Sequence, residues 1–141
     1  MFEPHVTIHV GADRTDLAEQ ALMGASRQCA PITLEALEIE QSDEFIKTLF
    51  VQLAMTSELQ KFNESIRQAA TDPSQYELKP HLSLLYQKLS AETRRELAAS
   101  ISVPFSEVTF DAIKAVRCVS PTESCVDVQA WRVVAAASLL G

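Results

Sequence analysis

Two short stretches of this chain nearly repeat each other, and the repeat narrows the available folds more than any other feature. Pro4-His5-Val6-Thr7-Ile8 and Pro80-His81-Leu82-Ser83-Leu84 share the order proline, histidine, aliphatic, hydroxyl, aliphatic. The histidines stand at positions 5 and 81 of 141, 76 residues apart, about half the chain. Each opens an apolar–polar alternation that reads as a strand leading toward a helix. On strands related by a pseudo-twofold axis, the two copies would surround one small cleft.

The rest of the pattern fills in around them. Pro4 to Gly11 alternates Val6, Ile8 and Val10 against His5, Thr7 and His9, the signature of a half-buried strand. Asp13 can cap a helix through about Cys29, with Leu17, Ala21, Leu22 and Ala25 on one face. Ile32 to Glu40 and Phe45 to Leu53 read as an antiparallel pair across Gln41-Ser42-Asp43. Thr56 or Ser57 opens a second helix to about Ala70, broken by Asp72-Pro73-Ser74. Pro80 to Tyr86 is a further strand, and Ser90 caps a helix to about Ile101. Pro104 to Val119 and Val126 to Ala136 read as two long β-type runs around the turn Ser120–Ser124. The sum is one α+β domain over residues 1–141, with mainly antiparallel pairing and no linker.

Composition limits the partners. A formal net charge of −7 argues against extended nucleic acid, whose binders carry surplus Lys and Arg. A small anion held at one preorganised spot is compatible with that balance. The opening residues show no basic stretch followed by an apolar one, and no apolar run reaches the length of a membrane span, so a cytoplasmic protein is expected. Three cysteines, Cys29, Cys118 and Cys125, lack metal-like spacing and read as reduced thiols. Cys118 and Cys125 flank the expected hairpin loop and could bridge across it only in an oxidising compartment.

The repeat carries the chemistry. Residues i and i+2 of a strand project to one face, about 6.5–7 Å apart. His5 with Thr7, and His81 with Ser83, therefore line one side, while Val6, Ile8, Leu82 and Leu84 face a core. Imidazole titrates near 6.5, so at neutral pH one copy can be neutral while its partner is protonated. The neutral ring deprotonates a nucleophile and the charged ring protonates a leaving oxygen, each transfer worth on the order of 10²–10⁴-fold. The hydroxyls of Thr7 and Ser83 can donate to non-bridging phosphate oxygens. No metal or other cofactor is needed for this. A lone His-x-Thr on a strand is more often structural than catalytic, but two matched copies among only three histidines reverse that weighting. Two histidines are too few for a zinc shell, with no Glu-x-x-His or Cys-x-x-Cys to complete it. No Gly-x-Ser-x-Gly elbow supports a serine triad. Cys29, flanked by Gln28 and Ala30, reads as helix packing, and His9 as a partly exposed strand residue.

At these motifs the chain resembles the two-histidine phosphoesterase superfamily, most closely its cyclic phosphodiesterase branch. Phe2 to Ile8 is similar to the first family motif, and Lys79 to Tyr86 to the second, including its Leu-Leu-Tyr ending. Phe105 to Val116 and Trp131 also fall where the family has a late strand and a common tryptophan. The resemblance implies two pseudo-symmetric lobes of antiparallel sheet with helices outside and the active-site cleft between them. It implies His5 and His81 as the catalytic pair, Thr7 and Ser83 as phosphate-holding residues, and Tyr86 as an aromatic residue near the substrate or at the strand's rim. It further implies opening of a nucleoside 2′,3′-cyclic phosphate or an ADP-ribose cyclic phosphate to a monoester. The family also implies a strand and a helix ahead of the first motif, whereas here the motif's histidine lies four residues after Met1. Either the first lobe is shortened, leaving an open sheet edge that a second copy could fill as a homodimer, or the start lies elsewhere. Two rival functions fit the same residues: an RNA-end enzyme such as a 2′-5′ ligase or phosphodiesterase, and a nucleotide-binding relative without turnover.

Overall fold

The alternating segments form two antiparallel sheets of unequal size in the computed structural model, which describes residues 3–11, 14–71 and 76–140. The chain runs through α1 (Thr15–Ser26), β1 (Ile32–Gln41), a 3-10 turn (Phe45–Lys47), β2 (Leu49–Leu53) and α2 (Ser57–Ala70). It continues through β3 (His81–Leu85), α3 (Ala91–Ser100), β4 (Glu107–Phe110), β5 (Ala112–Arg117), α4 (Cys125–Gln129) and β6 (Arg132–Ser138). The larger sheet has the order β3-β2-β1-β4, and the smaller pairs β5 with β6. The α+β architecture expected from the sequence is the one found.

The larger sheet is built on the pair β1–β2, in register at Ala36 opposite Leu53 and Gln41 opposite Leu49. Leu34, Val51 and Leu53 are each 1% exposed. The apolar stripe of α2 closes over them: Leu59, Phe62, Ile66 and Ala70 recur three and four residues apart and are all buried. Each leucine so enclosed contributes about 1.5–3 kcal/mol of burial. Thr56 starts α2 as expected, its side-chain oxygen accepting from the Leu59 N–H at 3.1 Å. Ser90 caps α3 in the same manner through the Thr93 N–H at 3.2 Å.

Four expectations are corrected. β1 carries a bulge between Ala36 and Ile39, which shifts the alternation and leaves Leu37 45% exposed. Phe45 to Leu53 is not one strand: Ser42 Oγ donates to the Lys47 carbonyl at 2.6 Å, bending Phe45–Lys47 into a 3-10 turn before β2 begins. Val126–Gln129 is helical, not strand, because Ser124 Oγ accepts from the Asp127 N–H while the Asp127 carboxylate accepts from the Glu123 N–H. Leu84 is 44% exposed, since β3 is an edge strand and the apolar cluster that covers Leu82 does not reach it. The Asp13 cap and the Asp72-Pro73-Ser74 break lie outside the described residues. Cys29, Cys118 and Cys125 are free thiols.

The first motif also departs from its expected form. Residues 3–11 make no strand ladder. Val6 and Ile8 still pack against the core, and side chains replace the missing ladder bonds. Buried Asn63 of α2 donates to the Ile8 carbonyl, and the Tyr76 hydroxyl donates to the Thr7 carbonyl at 3.2 Å. Lys114 of β5 pairs with Glu3. Between this segment and β5 lies a cavity of about 1160 Å³, floored by Leu34, Leu59, Phe62 and Leu82. β5 is paired with β6 alone among the described residues. A two-stranded ribbon is marginal by itself, and α1 covers this one through a close-packing face of Ala21, Leu22, Ala25 and Ser26.

Asn63→Ala is expected to lower stability by about 1–3 kcal/mol, because it orphans a carbonyl that no ladder serves. Urea unfolding of the two proteins measures the difference.

Candidate active site

The two histidines of the repeat are held by the same device. His5 Nδ1 lies 2.8 Å from the Glu3 carbonyl oxygen, and His81 Nδ1 lies 2.9 Å from the Lys79 carbonyl oxygen. Each acceptor sits two residues back, with a proline between. Proline fixes its own φ near about −65° and keeps the preceding residue out of the helical region, so the path of the turn is set before the ring is placed. A carbonyl oxygen only accepts. Each Nδ1 therefore carries the hydrogen, and each Nε2 is the basic nitrogen of its ring.

The structure brings the two rings into one electrostatic neighbourhood. Burial pushes the proton affinity of His81 below the ordinary imidazole value of 6.5. The charges of Lys47 and His5 push the same way, while the bond to the Lys79 carbonyl and the Glu44 carboxylate oppose them. His81 begins β3, paired opposite Gln52, and its ring meets Phe50 edge-on at 5.4 Å.

An aromatic wall runs from His5 to the Phe45–Lys47 turn. His5 meets Trp131 at 6.4 Å and 74°, Trp131 meets Tyr86 at 6.1 Å and 63°, and Tyr86 meets Phe45 at 6.2 Å. Trp131 stands immediately before β6, anchored by its indole N–H donating to Thr122 Oγ1 at 3.2 Å. Tyr86 follows β3, with its hydroxyl pKa raised by burial and drawn back by neighbouring Ser83. Ser83 Oγ itself donates to the Ile46 carbonyl at 2.8 Å. A hydroxyl has one hydrogen, so donating to a phosphate requires Ser83 to exchange that partner. Thr7 lies on the 3–11 segment and, with His5 and His9, lines the large cavity; His81, Ser83 and Tyr86 do not. This cavity thus opens on the His5 side of the pair and is not lined by His81.

The sequence reading missed the turn that forms one side of this site. Phe45 contacts Tyr86, the Ile46 carbonyl holds Ser83, and Lys47 acts on His81. The turn is pinned by Thr48, 1% exposed, whose hydroxyl lies 2.7 Å from the Gln87 carbonyl and accepts from the Gln87 N–H at 3.2 Å. The available signal was Ser42-Asp43-Glu44, a turn-rich run continuing into residues otherwise read as strand. Among the described residues, no group of three or more His, Cys, Asp and Glu side chains is placed to hold a metal ion, and no helix is long and apolar enough to cross a membrane.

The sequence matches no protein-family model and no curated protein sequence. Its structure matches solved ones. Against TT0787 of Thermus thermophilus the TM-score is 0.57 at 17% identity, over 98% of this chain and 79% of that one. Against Escherichia coli LigT complexed with 3′-AMP it is 0.55 at 16% identity, over 98% of this chain and 78% of that one. At such identities the likeness is one of fold, and the fold is the one that the resemblance to two-histidine phosphoesterases implied.

In solution near neutral pH, two-bond ¹H–¹⁵N spectra are expected to show both rings protonated at Nδ1. His81 is expected to titrate below 6.5. Folded His81 resists a proton that the unfolded chain accepts at the ordinary value, so its contribution to stability is complete above 6.5 and is lost as pH falls from there through the folded midpoint. His81→Gln should flatten that part of the acid destabilisation. A His81 midpoint at or above 6.5 would contradict the burial argument.

Proposed function

We propose that this chain hydrolyses a small cyclic phosphodiester to a phosphomonoester, with His5 and His81 as its acid–base pair. The observation that carries the reading is the matched carbonyl lock, which leaves Nε2 the basic nitrogen of two imidazoles that sense each other's charge. In the reaction one neutral Nε2 takes a proton from water as the water oxygen bonds to phosphorus. The opposite ring, protonated, gives its proton to the alkoxide as the ring P–O bond breaks. Charge is conserved, and both rings exchange states once per turnover.

Thr7 and Ser83 hold non-bridging oxygens in this reading, Ser83 by releasing the Ile46 carbonyl. The wall of Trp131, Tyr86 and Phe45 offers faces and edges to a nucleobase. A nucleotide ligand is supported by the fold neighbour solved with 3′-AMP, and a small one by the net charge of −7. The hydroxyls and the imidazolium share the phosphate charge without a metal ion in this reading.

The test is a panel of nucleoside 2′,3′-cyclic phosphates and ADP-ribose cyclic phosphate assayed in chelator. His5→Ala and His81→Ala are each expected to lower turnover by on the order of 10²–10⁴-fold with an unchanged circular dichroism spectrum. Thr7→Ala and Ser83→Ala should lose less. Activity abolished by chelator and restored by zinc would overturn the metal-free reaction. Binding without turnover would leave only a nucleotide-binding module.

A further inference from the structure

We propose that Lys47 is the substrate-anchoring cation of this site, set by its turn to meet a phosphate oxygen beside His81 and to make His81 the ring that takes the water proton. The proposal rests on the two-histidine reading above and deepens it by naming a recognition residue and dividing the two roles. The turn Phe45–Lys47 faces the site at each of its residues, since Phe45 packs on Tyr86 and the Ile46 carbonyl holds Ser83. Lys47 completes the series. Its ammonium lies 4.6 Å from the centre of the Phe50 ring, and that ring packs 5.4 Å from His81.

Three further observations separate this lysine from an ordinary surface charge. Lys47 is half-buried and forms no ion pair within 4.0 Å among the described residues, whereas Lys61, Lys79, Lys88 and Lys114 are all exposed. A cation resting on an aromatic face keeps its charge, and the N–H donors turned away from the ring stay available to an oxyanion. The turn is also rigid at its root, through the Ser42 bond to the Lys47 carbonyl and the buried Thr48 hydroxyl. In a chain of net charge −7, an incoming phosphate meets repulsion from the molecule as a whole. A local ammonium is what reverses that field at the reacting atoms.

At His81 burial acts first, and the same Lys47 charge acts in the same direction. The groups that bear on His81 are Lys47 and His5, which oppose its protonation, and Glu44 and the Lys79 carbonyl, which favour it. Burial adds to the side of Lys47. His81 thus starts the cycle neutral, accepts the proton of water, and becomes an imidazolium. His5 is then the ring left to give a proton to the leaving oxygen.

Lys47→Met, with Lys47→Arg as the charge-preserving control, tests this with two readouts. The first needs no turnover: binding of inorganic phosphate and of 3′-AMP to the whole protein, together with the ¹H titration of His81. Lys47→Met is expected to weaken binding of both ligands by at least about tenfold and to shift the His81 midpoint upward, because a neighbouring positive charge has been removed. Lys47→Arg should keep both near wild type. The second readout is steady-state hydrolysis, where Lys47→Met should raise KM and move the acid limb of kcat/KM to higher pH. Matched thermal midpoints show that the turn still folds. Unchanged phosphate affinity and an unchanged His81 midpoint in Lys47→Met would overturn the proposal. Lys47-dependent phosphate binding in a protein that hydrolyses nothing in the panel would support the anchor and overturn only the hydrolytic reading.

Discussion

The candidate site depends on one hydrogen bond made twice: an imidazole Nδ1–H donated to the carbonyl two residues earlier, across a proline. It determines which nitrogen is basic, and it orients each ring with groups that belong to the same short peptide. The orientation is therefore local. It survives in two different settings, a ladder-paired strand at His81 and a segment without a ladder at His5. Replacing the acceptor by a carboxylate would add a titrating partner to each ring. A carbonyl adds none, and this leaves the two imidazoles to be tuned by their wider surroundings.

Those surroundings differ between the two rings. His81 sits at the edge of the larger sheet, against Phe50 and near Lys47, and is held below the ordinary imidazole value by burial first and by charge second. His5 sits on the segment that Asn63 and Tyr76 secure by side-chain bonds, against Trp131. A large cavity lies beneath that segment, and among the described residues β5 pairs with β6 alone on the same side. One site is thus assembled from the edge of the larger sheet, which bears on the proton affinity of His81, and from a side-chain-secured segment that carries His5.

Much of this was legible in the residues. Helix starts at Thr56 and Ser90 followed from capping chemistry, and the β1–β2 pair from alternation. The repeat pointed to His5, Thr7, His81 and Ser83 because proline and histidine at matched spacing are rarely coincidental in a chain with three histidines. The illegible parts have physical reasons. The bulge in β1 and the turn at Phe45–Lys47 each interrupt an apolar run without a glycine or proline to mark it. α4 depends on a reciprocal Ser124–Asp127 cap, which overrides the β preference of Val126 and Val128. Residues 3–11 alternate like a strand, yet alternation records burial on one side and says nothing about whether a neighbour is present to pair with. Lys47 could not be singled out, since the Ser42-Asp43-Glu44 run signals a turn without saying that it extends to residue 47, and the ring it meets stands three residues further on.

A working acid–base pair requires that both imidazoles address one phosphorus. A crystal structure of the protein with a nucleoside–vanadate complex, a mimic of the five-coordinate state, measures this directly. The predicted result is a single vanadium with the Nε2 atoms of His5 and His81 each in hydrogen-bond contact with opposite apical oxygens. A vanadate touching only one of the two rings, or seated in the cavity beneath residues 3–11, would contradict it.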